Sequence, residues 1–220
     1  MMEFGDIISP QIHERIRAMI LALDRERPAG VVEYSPAYRS ITLLYDPLVT
    51  SFWQLREKLV ELDLGSGDVA LPTPKVVELP VCYGGKFGPD LGFVATSNNL
   101  SEEDVIRLHC QPDYFVYMLG FSPGFPFLGG LPEVLHTPRL ESPRKKVPAG
   151  SVGIANGQTG VYPIASPGGW QLIGRTPLNL FDYSRDKPFL LSAGNILKFK
   201  PVSEEEFDVL AGDENEGSPC

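Results

Sequence analysis

The sequence predicts a small α+β unit followed by a mainly-β barrel or sandwich. Three observations carry that expectation. Residues 1–70 switch between helical and strand periodicity, the segment after residue 75 breaks into many short apolar runs, and 22 glycines with 21 prolines are available to turn them. Gly plus Pro is about a fifth of the chain against a usual share of roughly 12%, so turns must be frequent.

Ser9-Pro10 opens the first helix, because a serine side chain caps free N–H groups and proline tolerates the first helical position. Ile12, Ile16, Met19, Ile20 and Leu23 follow at helical spacing until Pro28 and Gly30 end the run. Val31–Tyr34 and Ser40–Tyr45 read as strands, with Ile41, Leu43 and Tyr45 on one face. After the Asp46-Pro47 turn a second helix starts near Thr50 or Ser51, with Phe52, Leu55, Leu59 and Leu62 directed inward. The small, Pro-punctuated stretch Gly65-Ser66-Gly67 to Pro72-Thr73-Pro74 is a linker candidate. The expected organisation is an α+β domain over 1–70, a linker over 71–75, a β domain over 76–203 and an acidic, partly disordered tail over 204–220.

Beyond the linker, Val77, Leu79, Val81 and Tyr83 alternate until Gly84-Gly85 breaks the strand. Ser101-Glu102-Glu103-Asp104 resembles a capping box for a short helix through Cys110. Tyr114–Leu119, Gly160–Ala165, Trp170–Gly174 and Phe189–Pro201 read as strands, and Ser203 starts a last helical turn before a disordered stretch from Gly212.

A formal charge of −9 argues against a general nucleic-acid binder, which needs surplus cations to displace phosphate counterions. No apolar run reaches the roughly 18 residues of a membrane span, and the opening residues lack a signal-peptide pattern. Cys82, Cys110 and Cys220 are too scattered for a disulfide framework or a zinc site, so free thiols and a cytoplasmic location are expected. No histidine pair has metal-ligand spacing, and no metal is expected. His13 is expected on an exposed helix face and His136 in a loop.

Against this acidic background, residues 121–177 hold five basic and two acidic side chains amid ten glycines and nine prolines. Arg139, Arg144, Lys145 and Lys146 stand between prolines, which leave a loop less entropy to lose on binding. Arginine suits bidentate recognition of carboxylate or phosphate, and Gln158 and Gln171 offer amide donors and acceptors. Gly120-Phe121-Ser122-Pro123-Gly124 matches the G-x-S-x-G pattern of serine hydrolases but fails it chemically. The residue after the serine must lend a backbone N–H to the oxyanion, and Pro123 has none.

The runs Pro123-Gly124-Phe125-Pro126-Phe127-Leu128-Gly129-Gly130, Val147-Pro148-Ala149-Gly150-Ser151-Val152-Gly153, Gln158-Thr159-Gly160-Val161-Tyr162-Pro163 and Ser166-Pro167-Gly168-Gly169-Trp170-Gln171, in this order, resemble the family of KipI, allophanate hydrolase subunit 1 and the 5-oxoprolinase B subunit. Weaker similarity extends over about residues 3–202. One departure is that family members begin with a fuller strand before the Phe4-Gly5-Asp6 stretch. The resemblance implies a cyclophilin-like β-barrel as the second domain, without implying prolyl isomerase activity. It implies one component of an ATP-dependent 5-oxoprolinase, inactive alone and completed by a KipA-type (C-type) protein and the A-type component, with the ATP site shared or on a partner. It further suggests Arg139, Arg144 and Arg175 as anion ligands, Gln158 and Gln171 as substrate-orienting amides, and His109 as an acid/base candidate. Phe121, Phe125 and Phe127 are candidates for a partner interface. On this reading Arg144→Ala leaves folding intact while lowering the activity of the complex. The alternatives are a KipI-type inhibitor of a sporulation histidine kinase and a component of a urea or allophanate carboxyltransferase system.

Overall fold

A computed structural model of the protein describes residues 1–65 and 70–216. The chain divides into two compact units, Met1–Thr73 and the remainder from Pro74. Part of the expected linker, residues 66–69, lies outside the described residues; 71–75 form neither helix nor strand.

The first unit runs β1 (Met2–Glu3), α1 (Pro10–Glu26), β2 (Val31–Pro36), β3 (Ser40–Tyr45) and α2 (Phe52–Gly65). Its antiparallel sheet has the order β1-β3-β2. Ser9 caps α1 by accepting the Ile12 N–H at 3.2 Å, and Arg27 ends it in a left-handed conformation, its N–H returning to the Leu23 carbonyl. Ile16, Met19 and Leu23 of α1 meet Ile41 of β3 and Leu55, Leu59 and Leu62 of α2 in one core. Two expectations change here. Phe52, the first residue of α2, is exposed. His13 is buried instead of exposed, because it lies one turn before Ile16 on the apolar stripe of α1.

The second unit comprises β4 (Val76–Tyr83), α3 (Leu91–Ser97), α4 (Glu102–Cys110), β5 (Tyr114–Leu119), β6 (Pro126–Gly129), β7 (Arg144–Val147), β8 (Ser151–Ala155), β9 (Gln158–Val161), β10 (Ser166–Gly168), β11 (Gln171–Arg175), β12 (Ile196–Pro201) and α5 (Glu204–Glu216). Seven strands form one sheet in the order β6-β5-β12-β4-β11-β8-β9, and its two edges, β6 and β9, approach each other. The result is a nearly closed, barrel-like sheet with an apolar filling that includes Leu79, Val81, Val116, Val152, Ile154 and Leu197. β7 and β10 pair separately as an antiparallel ribbon. Strand alternation decides what faces the filling and what faces outward.

α4 starts on Ser101 as expected, the serine oxygen accepting the Asp104 N–H at 3.1 Å. The expected Gly160–Ala165 and Phe189–Pro201 strands are displaced or shortened to β9 and β12, and α3, β6, β7, β8 and β10 are additional. The last helix is longer than one turn and runs through Gly212 to Glu216, where the sequence suggests disorder. Ser203 and Glu206 form a reciprocal capping box, and Phe207 packs on Phe87 with ring centroids 4.5 Å apart. The expected disordered end at 217–220, Cys220 included, lies outside the described residues.

Candidate functional site

The β8–β9 hairpin turns through Asn156-Gly157 and pairs Val152 with Val161, Gly153 with Gly160, Ile154 with Thr159 and Ala155 with Gln158. Val152, Ile154, Thr159 and Val161 therefore face the filling of the sheet, while Gly153, Gly160 and Gln158 share the opposite face. The paired glycines leave a flat floor that Trp170 covers. A Cβ on Gly153 would meet Trp170 Cβ at 3.1 Å, and one on Gly160 would meet Phe125 Cζ at 2.9 Å and Trp170 Cζ3 at 3.1 Å. Phe125 stands edge-to-face against Phe121, Phe127, Tyr162 and Trp170, with centroids 5.4–5.7 Å apart.

These aromatics line a cleft of about 380 Å³ together with Arg139, Leu140, Pro143 and the Pro167–Gly169 segment. Gln158 also lines it. Phe121 sits at the mouth, 72% exposed, at φ 64 in a tight turn in which the Ser122 N–H reaches the Gly120 carbonyl at 2.7 Å. That conformation is costly for a residue with a side chain and is the kind of strain found at binding sites. Burial raises the Tyr162 pKa, opposed by the nearby Arg139 charge, a Trp170 backbone hydrogen bond and Arg144.

Five residues singled out from sequence thus line one cleft: Phe121, Phe125, Phe127, Arg139 and Gln158. Phe125 is buried in its wall, whereas Phe121 remains exposed. Arg144, Gln171, Arg175 and His109 are not among the lining residues. Arg144 grips Asp90 with bonds of 2.6 and 2.8 Å and donates to the Trp170 carbonyl at 3.2 Å. Gln171 is buried and donates to the Pro138 carbonyl at 2.9 Å, and Arg175 donates its Nε–H to the Ala149 carbonyl at 2.8 Å. Asp90 is a residue that sequence reasoning misses. It precedes α3 yet makes no side-chain cap there; its carboxylate accepts from Arg144 and from the Leu172 N–H at 2.6 Å. The only sequence cue is an Asp before an apolar run, which points to a cap and not to an ion pair.

His109 is wholly buried, with Nδ1 2.8 Å from the Tyr83 hydroxyl and Nε2 2.8 Å from Thr159 Oγ1. Burial drives its pKa down from 6.5 to about 3, so the ring is neutral at physiological pH. The unfolded chain then takes up this proton before the native one does, and stability falls as pH drops through the window from 6.5 to about 3. The slope from this group is at most ~1.4 kcal/mol per pH unit. Urea-unfolding midpoints of the wild type and His109→Gln across that window should converge at acid pH; parallel curves would remove the effect.

A larger groove of about 550 Å³ beside α5 is lined by Glu78, Lys200, Glu205, Glu206 and aliphatic side chains, and gathers none of the candidate residues. Among the described residues no group of three His, Cys, Asp or Glu side chains is placed to hold a metal ion. No helix is long and apolar enough to cross a membrane among them.

The family profile described as "Carboxyltransferase domain, subdomain C and D" matches residues 1–191. The chain is 44% identical over 229 residues to a Bacillus subtilis protein named as the B subunit of 5-oxoprolinase, covering 98% of this chain and 94% of that relative. Among solved structures, TTHA0988 superposes with a TM-score of 0.81 at 40% identity over 92% of this chain, which spans only 39% of that longer one. The Kluyveromyces lactis urea amidolyase shares the fold at a TM-score of 0.79 and 24% identity, over 98% of this chain and 15% of the amidolyase. With the profile running from the first strand to beyond β11 and across every residue of the cleft, the chain belongs to the carboxyltransferase domain family, subdomains C and D.

Proposed function

We propose that this chain is the B subunit of an ATP-dependent 5-oxoprolinase, which hydrolyses 5-oxo-L-proline to L-glutamate and works only with its partner proteins. The observation that carries this reading is the 44% identity, over nearly the whole length of both chains, to a protein of that name. The finer reading of the fold goes with it: an α+β domain over 1–70, a linker over 71–75, and a cyclophilin-like barrel over 76–203.

The chemistry explains why a partner is needed. Opening an unstrained lactam requires activation, and transfer of the ATP γ-phosphoryl group to the amide oxygen supplies it. Water then adds at the ring carbon, the C–N bond of the tetrahedral adduct breaks to free the amine and leave γ-glutamyl phosphate, and a second water hydrolyses that acyl phosphate to glutamate and phosphate. In the cleft, Arg139 supplies a cation for a carboxylate or phosphoryl oxygen, Gln158 an amide for the ring, and the aromatic wall a surface for its methylenes. The ATP site is shared with or lies on a partner, and the remaining catalytic groups come from a KipA-type (C-type) protein and the A-type component. Soluble, cytoplasmic assembly accompanies this reading. Within it, Arg144 and Gln171 brace the cleft wall through the Trp170 and Pro138 carbonyls, and Arg175 holds the Ala149 carbonyl, rather than acting as ligands.

The test is 5-oxoproline-driven ADP release by the A-type and C-type proteins, with and without this chain. Glutamate and ADP only when all three are present supports the proposal; turnover independent of this chain overturns it. Transfer of a carboxyl group to urea from an added carboxybiotin donor by the same mixture would favour the carboxyltransferase alternative. Because Arg139 is exposed at the cleft rim, Arg139→Ala should leave the unfolding midpoint unchanged and cut turnover of the complex at least tenfold, mostly through KM.

A further inference from the structure

The buried polar chain around His109 has only one consistent arrangement of protons. Thr159 Oγ1 is 3.1 Å from the Gly153 carbonyl, which can only accept, so the threonine hydroxyl donates there. Having used its proton, Thr159 must accept from His109 Nε2–H at 2.8 Å. In the neutral ring Nδ1 then accepts the Tyr83 hydroxyl proton at 2.8 Å, and the Tyr83 oxygen is left to accept from the Cys110 thiol at 3.3 Å. The ring itself is wedged against Phe199 of β12, with centroids 4.4 Å apart, and the Tyr114 hydroxyl of β5 holds the His109 carbonyl at 2.8 Å. His109, the penultimate residue of α4, is therefore fixed by β4, β5 and β12 before it reaches β9.

What it reaches is the back of the candidate cleft. Thr159 points inward between Gln158 and Gly160, which face the other way and carry the cleft's amide and the floor beneath Phe125 and Trp170. β9 is an edge strand with β8 as its only ladder partner among the described residues, so it lacks a second ladder to hold its position. We infer that His109 is a positioning residue: in its Nε2–H form it clamps β9 through Thr159 and so sets the height of Gln158 and Gly160 in the cleft. The part of this inference that concerns substrate rests on the cleft being the 5-oxoprolinase site; the clamp itself does not.

The two ring nitrogens can be separated by substitution. Glutamine places an amide N–H near the position of Nε2 and loses Nδ1, while asparagine reproduces Nδ1 and loses Nε2. His109→Gln and Tyr83→Phe should keep β9 in place, whereas His109→Asn and Thr159→Val should release it. Thr159→Val leaves the histidine untouched, so it remains informative if a His109 variant does not fold. The readouts are the imidazole tautomer by long-range proton–nitrogen correlation and amide exchange in β8 and β9 of the full chain. Expected are an Nε2–H ring in the wild type and at least tenfold faster exchange of the β9 amides in His109→Asn and Thr159→Val alone. An Nδ1–H tautomer, or equal exchange in all four variants, overturns the clamp. In the reconstituted complex the two releasing variants should raise KM for 5-oxoproline. Released β9 with unchanged kinetics would uphold the clamp and overturn the assignment of substrate to the cleft.

Discussion

Arg144→Ala is expected to destabilise the second unit by about 2 kcal/mol and to reduce turnover of the complex with it. The arginine forms a bidentate pair with Asp90, 2.6 and 2.8 Å from its two oxygens, and the carboxylate side chain is only 13% exposed. Removing one partner of a fully buried pair costs roughly 3–5 kcal/mol because the other charge is stranded, while an exposed pair is worth about 0–1. Arg144 is 29% exposed and Asp90 keeps the Leu172 N–H, which places this case between those limits. Arg144→Lys keeps the charge but not the planar fork, so it should recover only part of the loss. Asp90→Asn should be comparably damaging, and the double variant Arg144→Ala/Asp90→Ala less so than the sum of the two alanine substitutions. Urea unfolding of these variants beside the wild type checks this. An Arg144→Ala chain as stable as wild type would return the residue to the role of anion ligand that its basic, proline-flanked segment suggests from sequence.

That difference shows what sequence can and cannot carry. Local chemistry was legible: the Ser9-Pro10 start of α1, the Ser101 cap of α4, and the bounds of β3 and β5 follow from neighbouring residues. The sequence marks Phe121, Phe125 and Phe127 as a partner interface and Arg139 and Gln158 as ligands; that these five line one cleft follows only from the fold. The α3 segment Leu91–Ser97 was not legible, since seven residues containing Gly92 show too little helical period to be recognised. The partner of Arg144 lies 54 positions away, and a long-range ion pair leaves no spacing to read. His109 carries the mark of a helix end, where a charged histidine is favourable, yet tertiary packing buries it and keeps it neutral. Its burial depends on β4, β5, β9 and β12, which the chain forms far apart in sequence.

Gly160→Ala should disable the cleft while adding a single methyl group. The new Cβ would stand 2.9 Å from Phe125 Cζ and 3.1 Å from Trp170 Cζ3, closer than carbon atoms pack. An exposed ring would swing aside at little cost. Phe125 is 3% exposed and boxed by Phe121, Phe127, Tyr162 and Trp170, so moving it moves the whole wall. Overpacking of this kind costs about 1–3 kcal/mol, and here the strain is directed into the cleft because the other side of β9 is held by Thr159 on His109. The expected result is a modest fall in the unfolding midpoint with at least a tenfold loss of 5-oxoproline-driven ADP release in the reconstituted complex. Adding Phe125→Leu, which withdraws the ring edge, should recover stability more than turnover, since it relieves the contact but removes part of the wall. If Gly160→Ala keeps full turnover, the substrate does not use this cleft, and the packing of Trp170 on the Gly153–Gly160 floor is purely structural.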